Sequence, residues 1–401
     1  MKLRLFAAAT MSAVLFGGAA DAGDATVKIG VLVDMSSLYA DATGQGSVTA
    51  TQMAVEDFGG KVLGRPIEVV SADHQNKPDV GKAIADKWYD SDGVDAIVDV
   101  PTSSVALAVQ NVSREQHKIV LFSGPATSDI TGKFCSPYSV HWTFDTYSLA
   151  HVTGGAMVKA GGNSWFFITA DYAFGHALER DTAAVVTASG GKVLGDVPVP
   201  LNNQDFSSFM LQAQASKAKV IGLANAGGDT INSVKSAAEF GITQGDQKLA
   251  GLLLFDTDIH SLTLPVAHGL VMTTSFYWDA NDKTRAWSKR FYDRMHKMPT
   301  MVQAGDYGAV THYLKAVKAA GTTDADKVMA RMRATPINDF MTENGKIRID
   351  GRVIRAYYLY EVKTPSESKS EWDLMKLIDT VGPDQSIRPL AQGGCPLASK
   401  G

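Results

Sequence analysis

Residues 97–127 read IVDVPTSSVALAVQNVSREQHKIVLFSGPAT, and this stretch determines the architecture expected for the chain. Its apolar runs predict a buried strand ending near residue 100, a helix to about residue 116 and a second strand over residues 119–122. A turn with small hydroxyl side chains follows each strand. Because the carboxyl ends of parallel strands meet at one edge of an open sheet, where ligands bind, we expect both turns to contribute to one site.

The two turns carry candidate anion-binding hydroxyls. Ser103 and Ser104 follow the first strand, and Thr127 follows the second. The first turn leads into a helix amino terminus, where free backbone N–H groups and the helix dipole favour an anion. One serine, or Thr102, could instead serve only as the helix N-cap. A carboxylate that bridges both turns would explain Thr127 as well, so the sequence predicts a small carboxylate ligand.

The rest of the chain extends this strand–helix alternation. Strands and helices alternate from residue 27 to about residue 254, which predicts α/β lobes with parallel sheets and right-handed crossovers. Beyond residue 270 the pattern changes to one strand, three helices and three antiparallel strands. A chain of 401 residues is expected to form two domains. We expect the three helices to pack back on the first lobe, which would make both lobes discontinuous.

The amino terminus has the pattern of an export signal. Lys2 and Arg4 precede an apolar run that is too short to cross a bilayer, and small residues near position 22 fit a cleavage site. No cysteine lies there, so a lipid anchor is not expected. We predict a signal peptide over residues 1–22 and a periplasmic protein without membrane insertion. The net charge of −4 gives no reason to expect a nucleic-acid partner.

Cys135 and Cys395 are the two cysteines of the chain. Because an oxidising compartment permits disulfides, we predict that they are bonded and tie the carboxyl-terminal tail to the first lobe. The alternative is two free, buried thiols.

Motifs for enzyme chemistry are missing from the sequence. It contains no P-loop, no G-x-S-x-G elbow and no H-E-x-x-H helix, and its nine histidines lack metal-ligand spacing. Asp99, at a strand end, has no partner base or nucleophile and is interpreted as a turn or hinge residue. We therefore predict no catalytic residues, no metal site and no cofactor.

Loops of the second lobe supply further candidates. Tyr172 and Phe174 follow a strand and could stack on a ligand, or could only pack against the next helix. Asn225 lies in a tight glycine turn. Asp256, which we expect at the end of a third strand with Phe255, is a candidate counter-charge for a ligand ammonium group. Its alternative is an ordinary Asx turn.

Several motifs in order resemble one known family. VKIGVLVDMSSLYADATGQGSVTATQMAVEDFGG, LGRPIEVVSAD, PTSSVALAV, SGPATSD, DYAFGHAL and EFGI are similar to the periplasmic leucine/isoleucine/valine-binding type of ABC-transporter substrate-binding protein. The resemblance covers nearly all of the mature chain. It implies a type I periplasmic-binding-protein fold, with two Rossmann-like lobes joined by three hinge crossings. Such a protein closes on a small ligand and docks on a membrane permease.

The lobe boundaries follow from the crossings expected near residues 147, 275 and 350. Residues 23–147 plus 276–350 are predicted to form the amino-terminal lobe. Residues 148–275 plus 351–390 are predicted to form the carboxyl-terminal lobe, and residues 391–401 the tail.

The resemblance also implies roles for individual residues. The carboxylate-binding hydroxyls fall on Ser104 and Thr127, with a backbone contact at Pro125, and the covering aromatic falls on Tyr172 or Phe174. The first-lobe disulfide of the family's archetype is absent, and the cysteine pair of this chain is a different arrangement.

The second lobe leaves the ligand class open. Ala226 stands where the family often has a large aromatic residue, which implies a roomier pocket. The acidic residue that binds an α-ammonium group aligns with Phe255 or Asp256. An amino acid ligand, branched-chain or otherwise hydrophobic, is expected if Asp256 faces the cleft. An aromatic carboxylate is expected if Phe255 does, and Tyr39, Trp142 and Tyr172 would suit it. An extracytoplasmic ligand sensor is a further alternative to transport.

Overall fold

The computed structural model describes residues 26–400, so the predicted signal peptide lies outside the described residues. Fifteen strands and fourteen α-helices alternate along this range. The strands are β1 (Val27–Val33), β2 (Lys61–Val62), β3 (Arg65–Asp73), β4 (Ala96–Asp99), β5 (Ile119–Phe122), β6 (Ser139–His141), β7 (Ser164–Ala170), β8 (Lys192–Val199), β9 (Val220–Ala224), β10 (Lys248–Gly251), β11 (Val271–Thr274), β12 (Lys346–Ile347), β13 (Val353–Ile354), β14 (Tyr357–Val362) and β15 (Met375–Val381). The helices are α1 (Gly44–Phe58), α2 (Pro78–Asp90), α3 (Ser103–Glu115), α4 (Thr146–Leu149), α5 (Gly155–Lys159), α6 (Ala173–Ala188), α7 (Ser207–Ala215), α8 (Gly228–Glu239), α9 (Asp256–Leu262), α10 (Leu264–Ala267), α11 (Asp282–Met295), α12 (Met301–Ala320), α13 (Ala325–Ala334) and α14 (Pro383–Ser386).

A six-stranded sheet in the order β2-β3-β1-β4-β5-β6 forms what we call the first lobe, together with the helices packed on it. The strands from β3 to β6 are parallel, and β2 is an antiparallel edge hairpin with β3. Strands β4 and β5 are buried along their whole length, as their uninterrupted apolar runs require. Their carboxyl ends lie side by side, because Asp99 is in register with Phe122.

Two smaller sheets form what we call the second lobe. One is parallel, in the order β10-β9-β7-β8, and the other is antiparallel, in the order β11-β14-β15. The chain therefore passes between the lobes three times. The first pass follows β6, the second follows β11 and the third precedes β14.

Helices that follow β11 pack on the sheet of the first lobe. Val310, Tyr313 and Leu314 of α12 belong to one buried apolar cluster with Ile29 of β1 and Val98 of β4. Helix α12 also packs along α1. The first lobe is consequently completed by residues that are far along the chain from its strands.

A buried ion pair joins the first and third passes between the lobes. Arg352 Nε lies 2.9 Å from the Asp145 carboxylate, and both side chains are almost completely buried. Arg352 also donates to the carbonyl of His141 (3.0 Å), and Tyr357 donates to the carbonyl of Thr143 (2.8 Å). Burial lowers the pKa of His141 to about 3, so this imidazole is neutral beside the guanidinium. These bonds fix the backbone where the chain leaves one lobe for the other.

The carboxyl-terminal tail returns to the first lobe. Cys135 and Cys395 are joined as a disulfide, with their Cα atoms 5.6 Å apart. Before it, Arg388 donates to the carbonyl of Ser128 (2.7 Å). No helix within residues 26–400 is long and apolar enough to cross a lipid bilayer.

The parallel α/β architecture with two lobes confirms the predicted fold class, but several elements differ from expectation, among them residues 346–381, which form four strands instead of three. Strand β10 ends at Gly251, and Asp256 begins helix α9 instead of ending a strand. Strand β6 was not expected, because three residues are too short for a periodicity signal. The first helix of the second lobe begins at residue 146, where Asp145 forms a capping box, and it continues through a π-helical turn at Ala150–Gly154.

Candidate functional site

A small cavity, partly open to solvent, lies between the lobes. It is enclosed by the carboxyl ends of the strands of both parallel sheets, where an open α/β sheet binds ligands. Eleven residues line it: Tyr39, Ala42, Thr43, Pro101, Gly124, Ala126, Tyr172, Phe174, Ala226, Leu253 and Phe255. None of these eleven side chains is charged.

The first-lobe wall consists mainly of backbone turns. Pro101 lies between β4 and α3, and Gly124 and Ala126 lie in the turn after β5. Ala42 and Thr43 add the loop that precedes α1. The two turns of the 97–127 stretch therefore meet at the cavity, as the strand order predicts.

The hydroxyls of these turns do not line the cavity. Ser103 Oγ accepts the backbone N–H groups of Ala126 (3.3 Å) and Thr127 (3.2 Å), so it joins one turn to the other. Thr127 Oγ1 accepts the N–H of Asp129 (3.4 Å) and caps a 3₁₀ turn. Both side chains are buried, whereas Ser104, one residue into α3, is only partly buried. Ser103 and Thr127 thus stabilise the turns through hydrogen bonds within the protein.

Pro125 also takes part in a hydrogen bond within the protein. Its carbonyl oxygen accepts a hydrogen bond from Nε2 of His141 (2.7 Å). Pro125 lies between Gly124 and Ala126, which line the cavity, but is not part of the wall.

Aromatic side chains dominate the second-lobe wall. The rings of Tyr172 and Phe174 are 5.9 Å apart, and Phe255 meets the edge of Phe144 with centroids 6.3 Å apart. Ala226 and Leu253 complete this wall. Four of the residues predicted from the second lobe, Tyr172, Phe174, Ala226 and Phe255, are therefore brought together here.

The lobes contact each other around the cavity. The phenol oxygens of Tyr39 and Tyr172 are 2.5 Å apart, and burial raises the pKa of both, so both hydroxyls are protonated. Gly228 N donates to the carbonyl of Leu38 (3.2 Å). At Gly227, where φ is +58°, a Cβ atom would clash with that same carbonyl oxygen. The structure is therefore a closed form, in which glycine permits the close approach of the lobes.

Asn225 and Asp256, both predicted to bind ligand, are absent from the wall. The amide of Asn225 accepts from Thr230 Oγ1 (2.7 Å) and donates to Ser233 Oγ (2.9 Å), which anchors the start of α8. Asp256 is buried inside the second lobe, where burial and, to a lesser degree, the charge of Asp256 raise the pKa of Tyr277 and Tyr360. Burial, and to a lesser degree the charge of Asp258, raises the pKa of Asp256 itself to about 7.

The one-residue ambiguity between positions 255 and 256 thus has a structural answer. Phe255 faces the cavity as the residue before α9, and Asp256 turns into the lobe as the first residue of the helix. After burial, the charge of Asp229 also raises the pKa of both phenols, and its carboxylate already accepts the N–H groups of Asn202 (3.1 Å) and Asn203 (2.9 Å).

Sequence reasoning missed six wall residues: Ala42, Thr43, Pro101, Gly124, Ala126 and Leu253. Three of them, Pro101, Gly124 and Ala126, lie inside the 97–127 stretch. The prediction there relied on hydroxyl side chains and left out the glycine and proline at which the backbone is exposed. Within residues 26–400, no three His, Cys, Asp or Glu side chains are grouped as a metal site would require.

Comparison with known proteins identifies the family. The profile described as "Periplasmic binding protein" matches residues 26–369. A solved periplasmic binding protein from Burkholderia mallei is 52% identical, covers 93% of this chain and 99% of its own, and superposes with a TM-score of 0.91.

The names of two further relatives mention a ligand. A solved branched-chain amino acid ABC transporter periplasmic ligand-binding protein from Burkholderia xenovorans is 42% identical, covers 93% of this chain and 100% of its own, and has a TM-score of 0.83. A Leu/Ile/Val-binding protein homolog from Brucella melitensis is 26% identical over 90% of this chain and 93% of its own. The chain therefore belongs to the periplasmic binding protein family, as a type I member of the leucine/isoleucine/valine-binding kind.

Proposed function

We propose that this protein is the periplasmic substrate-binding component of an ABC importer, and that its ligand is a small apolar carboxylate without an ammonium group. Aromatic acids of the benzoate type are the leading class. The observation that carries the ligand class is the second-lobe wall, where Phe255 occupies the place at which an acidic residue would bind an α-ammonium group. The protein would act by binding and release, without catalysis or a cofactor.

The apolar part of such a ligand would lie against the second lobe. Tyr172, Phe174 and Phe255 supply ring faces and edges, and Ala226 leaves space for a planar group. Aromatic rings prefer offset or edge-to-face contacts with one another. An ammonium group against this wall would lose its water without gaining a counter-charge, which costs on the order of several kcal/mol.

The carboxylate would lie against the first lobe. Helix α3 begins at Ser103, two residues after Pro101 of the wall, and its first intrahelical bond runs from Ala106 N to Thr102 O (2.8 Å). The N–H groups that precede this bond are free for an anion, and the helix dipole favours it. Ser104 is the hydroxyl best placed to add a bond, because Ser103 and Thr127 already hold the turns.

The phenols of the closed cleft would contribute to recognition as well. One hydroxyl of the Tyr39–Tyr172 pair donates to the other, which leaves the second proton for an acceptor on the ligand. A hydroxyl substituent on an aromatic ring would provide such an acceptor.

A branched-chain amino acid is the second candidate. It is favoured by the description of the 42% identical relative as a branched-chain amino acid binding protein. For this chain it would require an ammonium partner other than Phe255, and Asp256 is the adjacent acid.

Isothermal titration calorimetry with two ligand panels tests the proposal. We expect benzoate or 4-hydroxybenzoate to bind, and leucine, isoleucine and valine to bind at least tenfold more weakly. We also expect Asp256→Asn to leave the benzoate affinity unchanged, with Asp258→Asn as the matched control for loss of a buried acid in the same helix. Tight binding of leucine that Asp256→Asn abolishes would overturn the ligand class in favour of the amino acid.

We propose a membrane permease as the partner of this protein, and we retain the lobe boundaries expected from the sequence as part of the proposal. Ligand-dependent stimulation of a reconstituted permease and ATPase pair encoded beside this protein would support transport. Binding without any such stimulation, together with a ligand-dependent complex with a receptor, would favour the sensor alternative.

A further inference from the structure

Two buried carboxyl groups lie behind the first-lobe wall. Asp99 ends β4 and Asp306 belongs to α12, and both are fully buried. The charge of Asp99 acts directly on Asp306. Among the described residues, neither acid forms an ion pair, and no donor meets an oxygen of Asp306 with hydrogen-bond geometry, although the hydroxyls of Ser47 and Ser123 are near enough to lower its pKa. Two adjacent carboxylates without a cation would be prohibitively costly in such a site, so the pair retains protons.

The pair touches each segment of the first-lobe wall. Asp99 accepts a hydrogen bond from Ser47 Oγ (2.6 Å) in α1, which follows Thr43 of the wall. The carboxylate of Asp99 also faces Gly124 so closely that a Cβ atom there would clash with it. Ser123, directly before Gly124, lies close enough to Asp306 to influence its pKa.

The backbone at Asp99 is held in an uncommon conformation. Asp99 and Val100 both have positive φ, +76° and +57°. Such a conformation is unfavourable for non-glycine residues and persists only where the surroundings enforce it. These two residues lead directly into Pro101 of the wall, so whatever holds Asp99 also sets the position of that turn.

We propose that Asp99 and Asp306 share a proton at neutral pH, and that this hydrogen-bonded pair positions the wall segments at Thr43, Pro101 and Gly124 for the ligand. The part of the proposal that concerns ligand affinity rests on the proposed function. The two acids are positioning residues, since the wall lies between them and the cavity.

The protonation of the pair follows from its surroundings. Burial raises the pKa of Asp99 to about 7, against the opposing effect of Ser47 and of the Gly124 N–H. Burial and the charge of Asp99 raise the pKa of Asp306 well above its ordinary value. A raised pKa means that the folded state holds protons that the unfolded chain has released. Stability from this pair is therefore complete below about pH 4 and is lost as pH rises through 7 and beyond.

Other titratable groups near this edge form separate sets. Asp34 ends its own turn beside β1, and its charge acts on His74, whose pKa burial lowers to about 4. At the hinge, His141 interacts with Asp145 and Arg352. None of these groups is among the causes of the raised pKa of Asp99 or of Asp306.

Chemical unfolding measured against pH tests the shared proton without any ligand. In Asp306→Asn, the introduced amide can donate the hydrogen bond that the proton supplied, and it has no proton to lose. Between pH 5 and pH 8, we expect the unfolding equilibrium constant of the wild type to rise with pH. Its rise per pH unit should exceed that of Asp306→Asn by a factor of up to about ten. Parallel curves would overturn the proposal.

Two further variants keep this test decisive. Asp256→Asn removes a buried acid of similarly raised pKa from the second lobe, and serves as the control in the affinity measurement below. Ser47→Ala removes a donor that lowers the pKa of Asp99, so we expect its steep region to move to higher pH. If Asp306→Asn does not fold, an unmoved transition in Ser47→Ala would overturn the proposal by itself.

Benzoate affinity separates the positioning role from a purely structural one. At pH 7 we expect Asp306→Asn to stay within threefold of the wild type and Asp306→Ala to bind about tenfold more weakly. From pH 7 to pH 9.5 the wild type and Asp256→Asn should lose affinity, whereas Asp306→Asn should not. Benzoate binding that is independent of pH in the wild type would overturn the positioning role and leave the proposed function intact. Absence of benzoate binding, with the unfolding result as expected, would reject the ligand class and leave the shared proton in place.

Discussion

The two walls of the cavity are built in different ways. The first lobe presents backbone turns at Pro101, Gly124 and Ala126. The Ser103 hydroxyl joins these turns by accepting the N–H of Ala126. The second lobe presents side chains, chiefly the rings of Tyr172 and Phe255. Backbone groups can receive a carboxylate whatever is attached to it, whereas rings recognise what is attached. The difference suggests that the first lobe selects the charge of the ligand and the second lobe selects its apolar part.

The largest expected effect comes from keeping the walls apart. Gly227→Ala places a Cβ atom against the carbonyl oxygen of Leu38 at a positive φ, so the closed form should be strongly disfavoured. We expect an affinity loss of about a hundredfold, or about 3 kcal/mol, by calorimetry with the tightest ligand of the panels.

Gly241→Ala is the matched control for that substitution. Gly241 also lies in the second lobe with a positive φ of +67°, but no atom would lie within 4 Å of its added Cβ. It should lower stability alone. Equal affinity losses in both variants would attribute the effect of Gly227→Ala to backbone strain and not to lobe closure.

An intermediate effect is expected when the hydrogen bonds that hold the first-lobe wall in place are removed. Ser103→Ala would leave the buried N–H groups of Ala126 and Thr127 without their acceptor. We expect the free energy of unfolding to fall by about 1–3 kcal/mol, measured by denaturant titration.

Ser104→Ala sharpens the same comparison. Because Ser104 is partly exposed, its loss should leave stability within about 0.5 kcal/mol, while ligand affinity falls if this hydroxyl binds the carboxylate. The assignment of the two serines would be reversed if Ser104→Ala destabilised the protein and Ser103→Ala affected only affinity.

The smallest effect is expected where the walls meet. Tyr172→Phe keeps the ring but removes the hydrogen bond to Tyr39 across the cleft. A neutral hydrogen bond contributes about 0.5–1.5 kcal/mol, so affinity for benzoate should fall by roughly threefold to tenfold. A larger loss for 4-hydroxybenzoate than for benzoate would place the ring substituent at this phenol pair, and equal losses would place it elsewhere.

The sequence by itself determined the strands and the edge of the sheet at which the site lies. The predicted strand at Ile119–Phe122 has the observed bounds, because an apolar, β-branched run between turn residues carries this information locally. The meeting of the two turns at one edge follows from the parallel order of β4 and β5 alone.

Only the tertiary structure decided which side chains face the cavity. Phe255 and Asp256 are neighbours, and where one faces the cleft the other turns away, so the start of α9 determined the chemistry of the wall. The sequence predicts Ser103 as a ligand contact, and it gives no sign that the turn after β5 uses the Ser103 hydroxyl as an acceptor. Asp306 has no motif that connects it to Asp99, because the two acids meet only through the packing of α12 on the first sheet. Local sequence patterns specify elements, whereas the direction of a side chain and its distant partners depend on how those elements pack.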